Sequence, residues 1–197
     1  MKKVILITGA SSGIGEALAV RWSLQKDVVL ILAARNRAAM EKTSALCMAN
    51  GAKTLIVEMD LSESASIEKG VVEILANYPE IDIVVHNSGI SQRALVKDTQ
   101  MSVYRRLMEV NFMGTVHLTQ LLLPSMLKRK SGQFVVVSSV MGKIGTPLRS
   151  GYAASKHALH GFFDCLRAEV CHEGLSVTII CPGFVKTPLT DLNSFKM

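Results

Sequence analysis

Short apolar runs alternate with longer stretches in which apolar residues recur every three or four positions, from one end of the chain to the other. Six of the short runs predict strands, at 4–7, 28–33, 54–57, 81–85, 134–137 and 177–180. All are brief and mostly β-branched or leucine-rich, and none alternates strictly with polar residues. Strands covered by helices on both faces have that pattern. Between them lie helical periods. Ile14, Leu18 and Trp22 fall at i, i+4 and i+8 and predict one face of a first helix, and Ile67, Val71, Ile74 and Leu75 do the same in a third. The longest helical stretch, 102–130, carries an apolar stripe of Val103, Leu107, Val110, Gly114, Leu118, Leu121 and Leu122, and 152–172 holds another helix.

Strands interleaved with helices imply right-handed crossovers and a parallel sheet with helices on both sides. The chain shows no internal repeat, low-complexity tract or linker, so its 197 residues predict one α/β domain. Composition narrows the class further. With 49% hydrophobic and 19% charged residues the chain has ample core material, which excludes a disordered protein. The longest clean apolar run, 28–34, falls far short of the roughly 20 residues that cross a bilayer, so no membrane span is expected. Met1-Lys2-Lys3 is followed by only four apolar residues, too few for a secretory leader. The cysteines, Cys47, Cys165, Cys171 and Cys181, form no C-x-x-C pair and suit neither a zinc site nor a disulfide scaffold. They are expected to be reduced thiols in a cytoplasmic protein. The net charge of +6 raises the question of nucleic acid. The basic residues are scattered, however, and their one run, Lys128-Arg129-Lys130, closes the longest helix, where cations complement the helix dipole. No nucleic-acid partner is expected.

Ligands of such sheets bind beyond the carboxyl ends of the strands, where strand order reverses, so the strand ends matter most. After the first strand comes Thr8-Gly9-Ala10-Ser11-Ser12-Gly13-Ile14-Gly15, leading directly into a helix. Gly9 can make the tight turn, while Gly13 and Gly15 allow a pyrophosphate and the helix backbone to approach closely. The helix start then offers free N–H groups to phosphate; the alternative is a loop that merely turns the chain. Twenty residues after Gly15, where an acid would hold ribose hydroxyls, stands Arg35. A planar cation there suits a 2′-phosphate and argues for NADP(H), against the alternative of a solvated arginine. Beyond the third strand, Asp60 either accepts a hydrogen bond from adenine or, with Ser62, caps the next helix. The fourth strand ends in His86-Asn87-Ser88-Gly89, a small turn that would let backbone reach a ribose, or simply a turn; His86 has no second ligand at suitable spacing and reads as structural. The fifth ends in Ser138-Ser139. Thirteen residues on, Tyr152 and Lys156 stand four apart and so share a helix face. A lysine ammonium beside a phenol, with an oxidised nicotinamide, favours the phenolate and makes a tunable proton donor and acceptor. The sixth strand ends in Cys181-Pro182-Gly183, which swings the chain off the sheet and exposes backbone that could pair with a carboxamide, or starts an ordinary loop.

In this order and spacing, the Thr8–Gly15 motif, Asn87-Ser88-Gly89, Asn111, Ser139, Tyr152-x-x-x-Lys156 and Pro182-Gly183 resemble the short-chain dehydrogenase/reductase family over about residues 3–190. The stretch from Arg149-Ser150-Gly151-Tyr152 to Arg167-Ala168-Glu169 is similar to the branch containing dehydrogenase/reductase members 7 and 7B and the 11β-hydroxysteroid dehydrogenases. The resemblance implies a Rossmann-like doubly wound sheet of strand order 3-2-1-4-5-6 and an NADP(H)-dependent oxidoreductase acting on a carbonyl or secondary alcohol. It further implies that Tyr152 is the acid/base, that Lys156 holds the nicotinamide ribose and depresses the phenol's pKa, and that Ser139 positions the substrate oxygen. Asn111 would bind a water connecting Lys156 to solvent. Gly9, Ser11, Ser12, Gly13, Ile14 and Gly15 would cradle the phosphates, Asp60 and Leu61 would contact adenine, and Asn87 and Gly89 the ribose. Pro182, Gly183, the Val185 backbone and Thr187 would hold the carboxamide end. A homodimer or homotetramer paired through the 102–130 and 152–172 helices is implied as well.

Three departures accompany the resemblance. His86-Asn87-Ser88-Gly89 stands where the family commonly has Asn-Asn-Ala-Gly. Gln25-Lys26-Asp27, before the second strand, lacks the usual glycine. The sequence also stops at Met197, where typical members continue into a substrate lid, a helix and a seventh strand, leaving the sixth strand as an expected edge. That last departure keeps a second function open, a non-catalytic NADP(H)-binding sensor or scaffold, although such a protein has no need of the Tyr–Lys pair.

Overall fold

The computed structural model describes residues 2–187. Six parallel strands form one sheet: β1 (Lys3–Thr8), β2 (Val28–Ala34), β3 (Lys53–Glu58), β4 (Ile83–His86), β5 (Gly132–Val137) and β6 (Leu175–Ile180), in the order β3-β2-β1-β4-β5-β6. Strand order reverses between β1 and β4, where Ile5 pairs with Leu30 on one side and Ile83 on the other. Helices α1 (Gly13–Ser23) and α2 (Arg37–Ala49) cover one face, and α3 (Ser64–Asn77), α5 (Gly114–Arg129) and α6 (Ser150–Val170) the other. Every residue of β2 is buried: Val29 and Ile31 face the core under α3, α5 and α6, Leu30 and Leu32 the core under α1 and α2. That two-sided burial is why the strand reads as an unbroken apolar run.

Three elements differ in detail from the sequence pattern. Strand β6 alternates, with Leu175 and Val177 buried under α6 and Ser176, Thr178 and Ile180 exposed among the described residues. Helix α1 buries Gly15, Ala19 and Ser23, one position round from the expected Ile14, Leu18 and Trp22, which pack at the core's margin instead. Small residues face the sheet because the helix backbone lies close to it. The predicted 102–130 helix is two helices, α4 (Met101–Met108) and α5, joined by one wide turn over Glu109–Met113. Such an enlarged turn often marks a functional position, and here it carries Asn111. The turn lacking its usual glycine is kept: Asp27 takes the left-handed conformation (φ 55°), which aspartate tolerates better than most residues, and its carbonyl accepts from Lys3 N.

Arg129, from the basic run, is tied to the sheet's amino edge. It donates to the carbonyls of Ile81 and Ser131 and pairs with Asp82 and Glu80. All four cysteines are free thiols. Among the described residues no helix is long and apolar enough to cross a membrane.

Candidate active site

Above the switch between β1 and β4, the strand ends and their loops line a groove of about 780 Å³. All but two of the site residues expected from the sequence line it. Gly9, Ser11, Ser12, Gly13 and Ile14 form its floor beside Asn87 and Gly89; Arg35, Asp60 and Leu61 stand at one end; Ser139, Tyr152, Lys156, Pro182, Gly183, Val185 and Thr187 surround the other. Gly15 and Asn111 are the exceptions.

Gly15 lies behind the loop. A Cβ there would sit 2.3 Å from the Gly9 carbonyl oxygen and 2.6 Å from Asn87 Nδ2, so the residue is glycine because backbone meets backbone. Gly9, at φ 67°, makes the turn itself. Asn87 Nδ2 donates to the Thr8 and Gly9 carbonyls, and Thr8 Oγ1 accepts from the N–H groups of Asn87 and Ser88. The loop is thereby welded to the end of β4. Ser12 precedes α1 without capping it through its side chain, which leaves the first-turn N–H groups pointing outward from the positive end of the helix.

At the far end, Arg35 Nη1 is 3.9 Å from Asp60 Oδ2, and the arginine side chain is more than half exposed. A contact of that kind stabilises little and yields readily to a stronger anion. Burial raises the Asp60 carboxyl, but hydrogen bonds from Ser62 and the charges of Arg35 and Arg106 outweigh it and hold the group below its ordinary value. The two Ser62 bonds form a local turn rather than a helix cap, since α3 starts two residues later. Arg37, which the sequence did not single out, also lines the groove and is paired with Glu41 and Glu58.

Tyr152 and Lys156 lie in the first two turns of α6 and face the groove together, the ammonium 5.8 Å from the phenol ring's centre. Lys156 Nζ donates to the Val137 carbonyl at 2.9 Å, and burial lowers its pKa to about 8. Ser139 Oγ accepts from Met141 N at 3.1 Å, which leaves the hydroxyl hydrogen for the Tyr152 oxygen. The phenol stands between opposing influences. Burial raises it above its ordinary value, and what opposes burial is the Ser139 hydrogen bond and the charge of Arg149, not Lys156.

Asn111, in the wide turn between α4 and α5, is held by its side chain. Its amide is committed to protein: Oδ1 accepts from Ile90 N, and Nδ2 donates to Ile90 O and Ser155 Oγ, all within 2.8–2.9 Å. The side chain therefore braces the loop after β4 against α6, and Ser155 passes the brace to the Tyr152 carbonyl. Ser155 and Arg149 are the supporting residues that sequence reasoning missed. The signal for Ser155 was a serine inside a helix, where its hydroxyl bonds back to residue i−3. His86 belongs to the core, as expected: it bonds Thr119 Oγ1 at 2.9 Å, stacks on Phe134, and burial lowers its pKa to about 3, so the ring is neutral.

Uncapped N–H groups over a glycine loop, a loosely held arginine at one end and a Ser–Tyr–Lys cluster at the other fit a dinucleotide laid along the strand ends. Fold and groove are thus those of a dinucleotide-binding α/β domain with a Ser–Tyr–Lys cluster at one end. The model of the short chain dehydrogenase family matches residues 3–196, and the chain belongs to that family. It is 44% identical over 193 residues to human dehydrogenase/reductase SDR family member 7, covering 95% of this chain and 57% of that protein. With member 7B of Bos taurus it shares 42% over 193 residues, covering 95% and 59%. The chain thus spans less than two thirds of the length of these curated relatives. Among solved structures, a variant of actinorhodin polyketide ketoreductase with NADPH superposes with a TM-score of 0.91 at 29% identity, covering 95% of this chain and 72% of that one. An alcohol dehydrogenase from Thermococcus sibiricus complexed with 5-hydroxy-NADP gives 0.88 at 26%, covering 94% and 77%.

Proposed function

We propose that the chain is the catalytic domain of an NADP(H)-dependent oxidoreductase that interconverts a carbonyl and a secondary alcohol. The observation that carries this reading is the convergence of Ser139, Tyr152 and Lys156 on one end of the groove. When bound, the nicotinamide supplies or accepts the hydride at the substrate carbon. Tyr152 gives its phenolic proton to the carbonyl oxygen in the reductive direction and takes it back in the oxidative one. With substrate bound, Ser139 turns its one hydroxyl hydrogen from the phenol to that oxygen and holds it within reach of the phenol. Lys156, anchored by the Val137 carbonyl, keeps further N–H donors for a ribose hydroxyl. At the other end Arg35 and Arg37 line the groove, planar cations suited to a 2′-phosphate, which supports NADP(H) over NAD(H); the two neighbours solved with NADPH and 5-hydroxy-NADP accord with it. A homodimer or homotetramer paired through the 102–130 stretch (α4 and α5) and the 152–172 helix (α6) is part of the same proposal, supported by the exposed small residues Ala154, Gly161 and Ala168 on α6.

The test is NADPH consumption by the purified protein over a panel of ketosteroid, retinoid, acyl and sugar carbonyls. Turnover with at least one is expected. NADPH binding with no turnover anywhere would transfer the reading to a non-catalytic nucleotide sensor.

A further inference from the structure

Between β4 and α4 the chain runs from the groove without a strand to hold it, and side chains from other elements do the holding: Asn111 at Ile90 and Arg149 at the next two residues. Arg149, at the head of α6, donates from Nη1 to Ser91 Oγ at 2.7 Å and to the Gln92 carbonyl at 3.1 Å. Ser91 and Gln92 are buried. The Gln92 amide donates in turn to the Ala94 carbonyl and Thr99 Oγ1, which stiffens the turn from inside. Just before Arg149, Leu148 takes a left-handed conformation (φ 68°), and its carbonyl accepts from Ala94 N. A non-glycine residue holds that conformation only where its surroundings over-determine it, and such residues gather at functional sites.

These contacts close a ring. Asn111 binds Ile90, the chain continues to Ser91 and Gln92, Arg149 takes them to α6, and Ser155 returns to Asn111. Tyr152 lies on the arc between Arg149 and Ser155; the Arg149 carbonyl accepts from Ala153 N and the Tyr152 carbonyl from Ser155 Oγ. We propose that Arg149 is a positioning residue for Tyr152, pinning the 91–92 turn to the head of α6 one helical turn before the phenol and standing there as a fixed cation.

The inference deepens the oxidoreductase reading and rests on it. Among the described residues, the groups facing the phenol include Lys156 from its own helix, Ser139 from the loop after β5, and Arg149, with Arg93 facing Arg149 from the β4 loop. Burial and Arg93 lower the Arg149 guanidinium and Tyr152 raises it, but a guanidinium stays charged throughout. Its charge favours the phenolate, so removing it moves the phenol further up.

The experiment compares Arg149→Met, Arg149→Lys and Ser91→Ala by the pH dependence of alcohol oxidation, which rises as Tyr152 ionises. Arg149→Met is expected to shift that limb upward by about half a pH unit or more and to lower kcat about tenfold. Arg149→Lys keeps the charge and is expected to return the limb to its original pH while kcat stays reduced. Ser91→Ala, which removes an anchor and no charge, is expected to lower kcat with the limb in place. A limb at its original pH in Arg149→Met, or full kcat in Ser91→Ala, overturns the proposal. Should Arg149→Met fail to fold, the Lys and Ala variants still decide it. If no substrate turns over, tyrosinate absorbance in a Tyr78→Phe/Tyr104→Phe background titrates Tyr152 directly. A rise on Arg149→Met then upholds Arg149 although the oxidoreductase reading has fallen, and no rise refutes it.

Discussion

The two halves of the groove are built by different means. From β1 to β3 the site is made of backbone: Gly9 and Gly15 let the loop and α1 nearly touch, and the phosphate donors are main-chain N–H groups. From β4 to β6 it is made of side chains, with buried Asn111, Ser155 and Lys156 and half-buried Arg149 set around Tyr152 and Ser139 through hydrogen bonds and charge. Steric change therefore governs the first half, and protonation the second. A dinucleotide needs a fixed surface, which backbone supplies cheaply; an acid–base group needs tuned surroundings, which only side chains supply.

The largest effect expected from breaking this contrast is at Gly15. Gly15→Val places carbon within 2.3 Å of the Gly9 carbonyl, forcing loop and helix apart. Destabilisation of about 3 kcal/mol in urea unfolding is expected, with loss of NADPH fluorescence enhancement at every pH. Lys156 sharpens the other side of the comparison. Its native pKa of about 8 lies below the unfolded value near 10.4, so the unfolded chain binds the extra proton between those values. Stability from this group is lowest below pH 8 and recovers as pH rises towards 10. Lys156→Met is accordingly expected to stabilise the protein by about 2 kcal/mol at pH 7, a gain that shrinks towards pH 10, while abolishing turnover. The smallest effect is at Arg35, exposed and loosely paired. Arg35→Ala should cost about tenfold in NADPH affinity and leave NADH binding unchanged, a difference of about 1.4 kcal/mol read by isothermal titration.

The same contrast explains what was legible in the sequence. The strand order came only with the family resemblance, whereas the Gly9–Gly15 loop, the strands themselves and the Tyr152–Lys156 pair follow from local spacing. The roles of Arg149 and Ser155 do not, since they depend on partners such as Ser91 and Asn111, some 40 to 60 positions away. For Asn111 the residue was found and its side chain's work was not: the amide braces Ile90 and Ser155. Strand β6 was found with the wrong pattern because Ile179 and Ile180 are both apolar, although they face opposite sides of the sheet. Desolvation was invisible too: a phenol beside a lysine looks acidic on paper, whereas burying both raises the one and lowers the other.

The most direct measurement sets Tyr152→Phe against the unaltered protein with the best carbonyl from the panel. NADPH should bind to both with the same Kd, since the ring is kept, while turnover falls by about 10²-fold or more in the variant. Undiminished turnover without the phenolic oxygen would contradict the account.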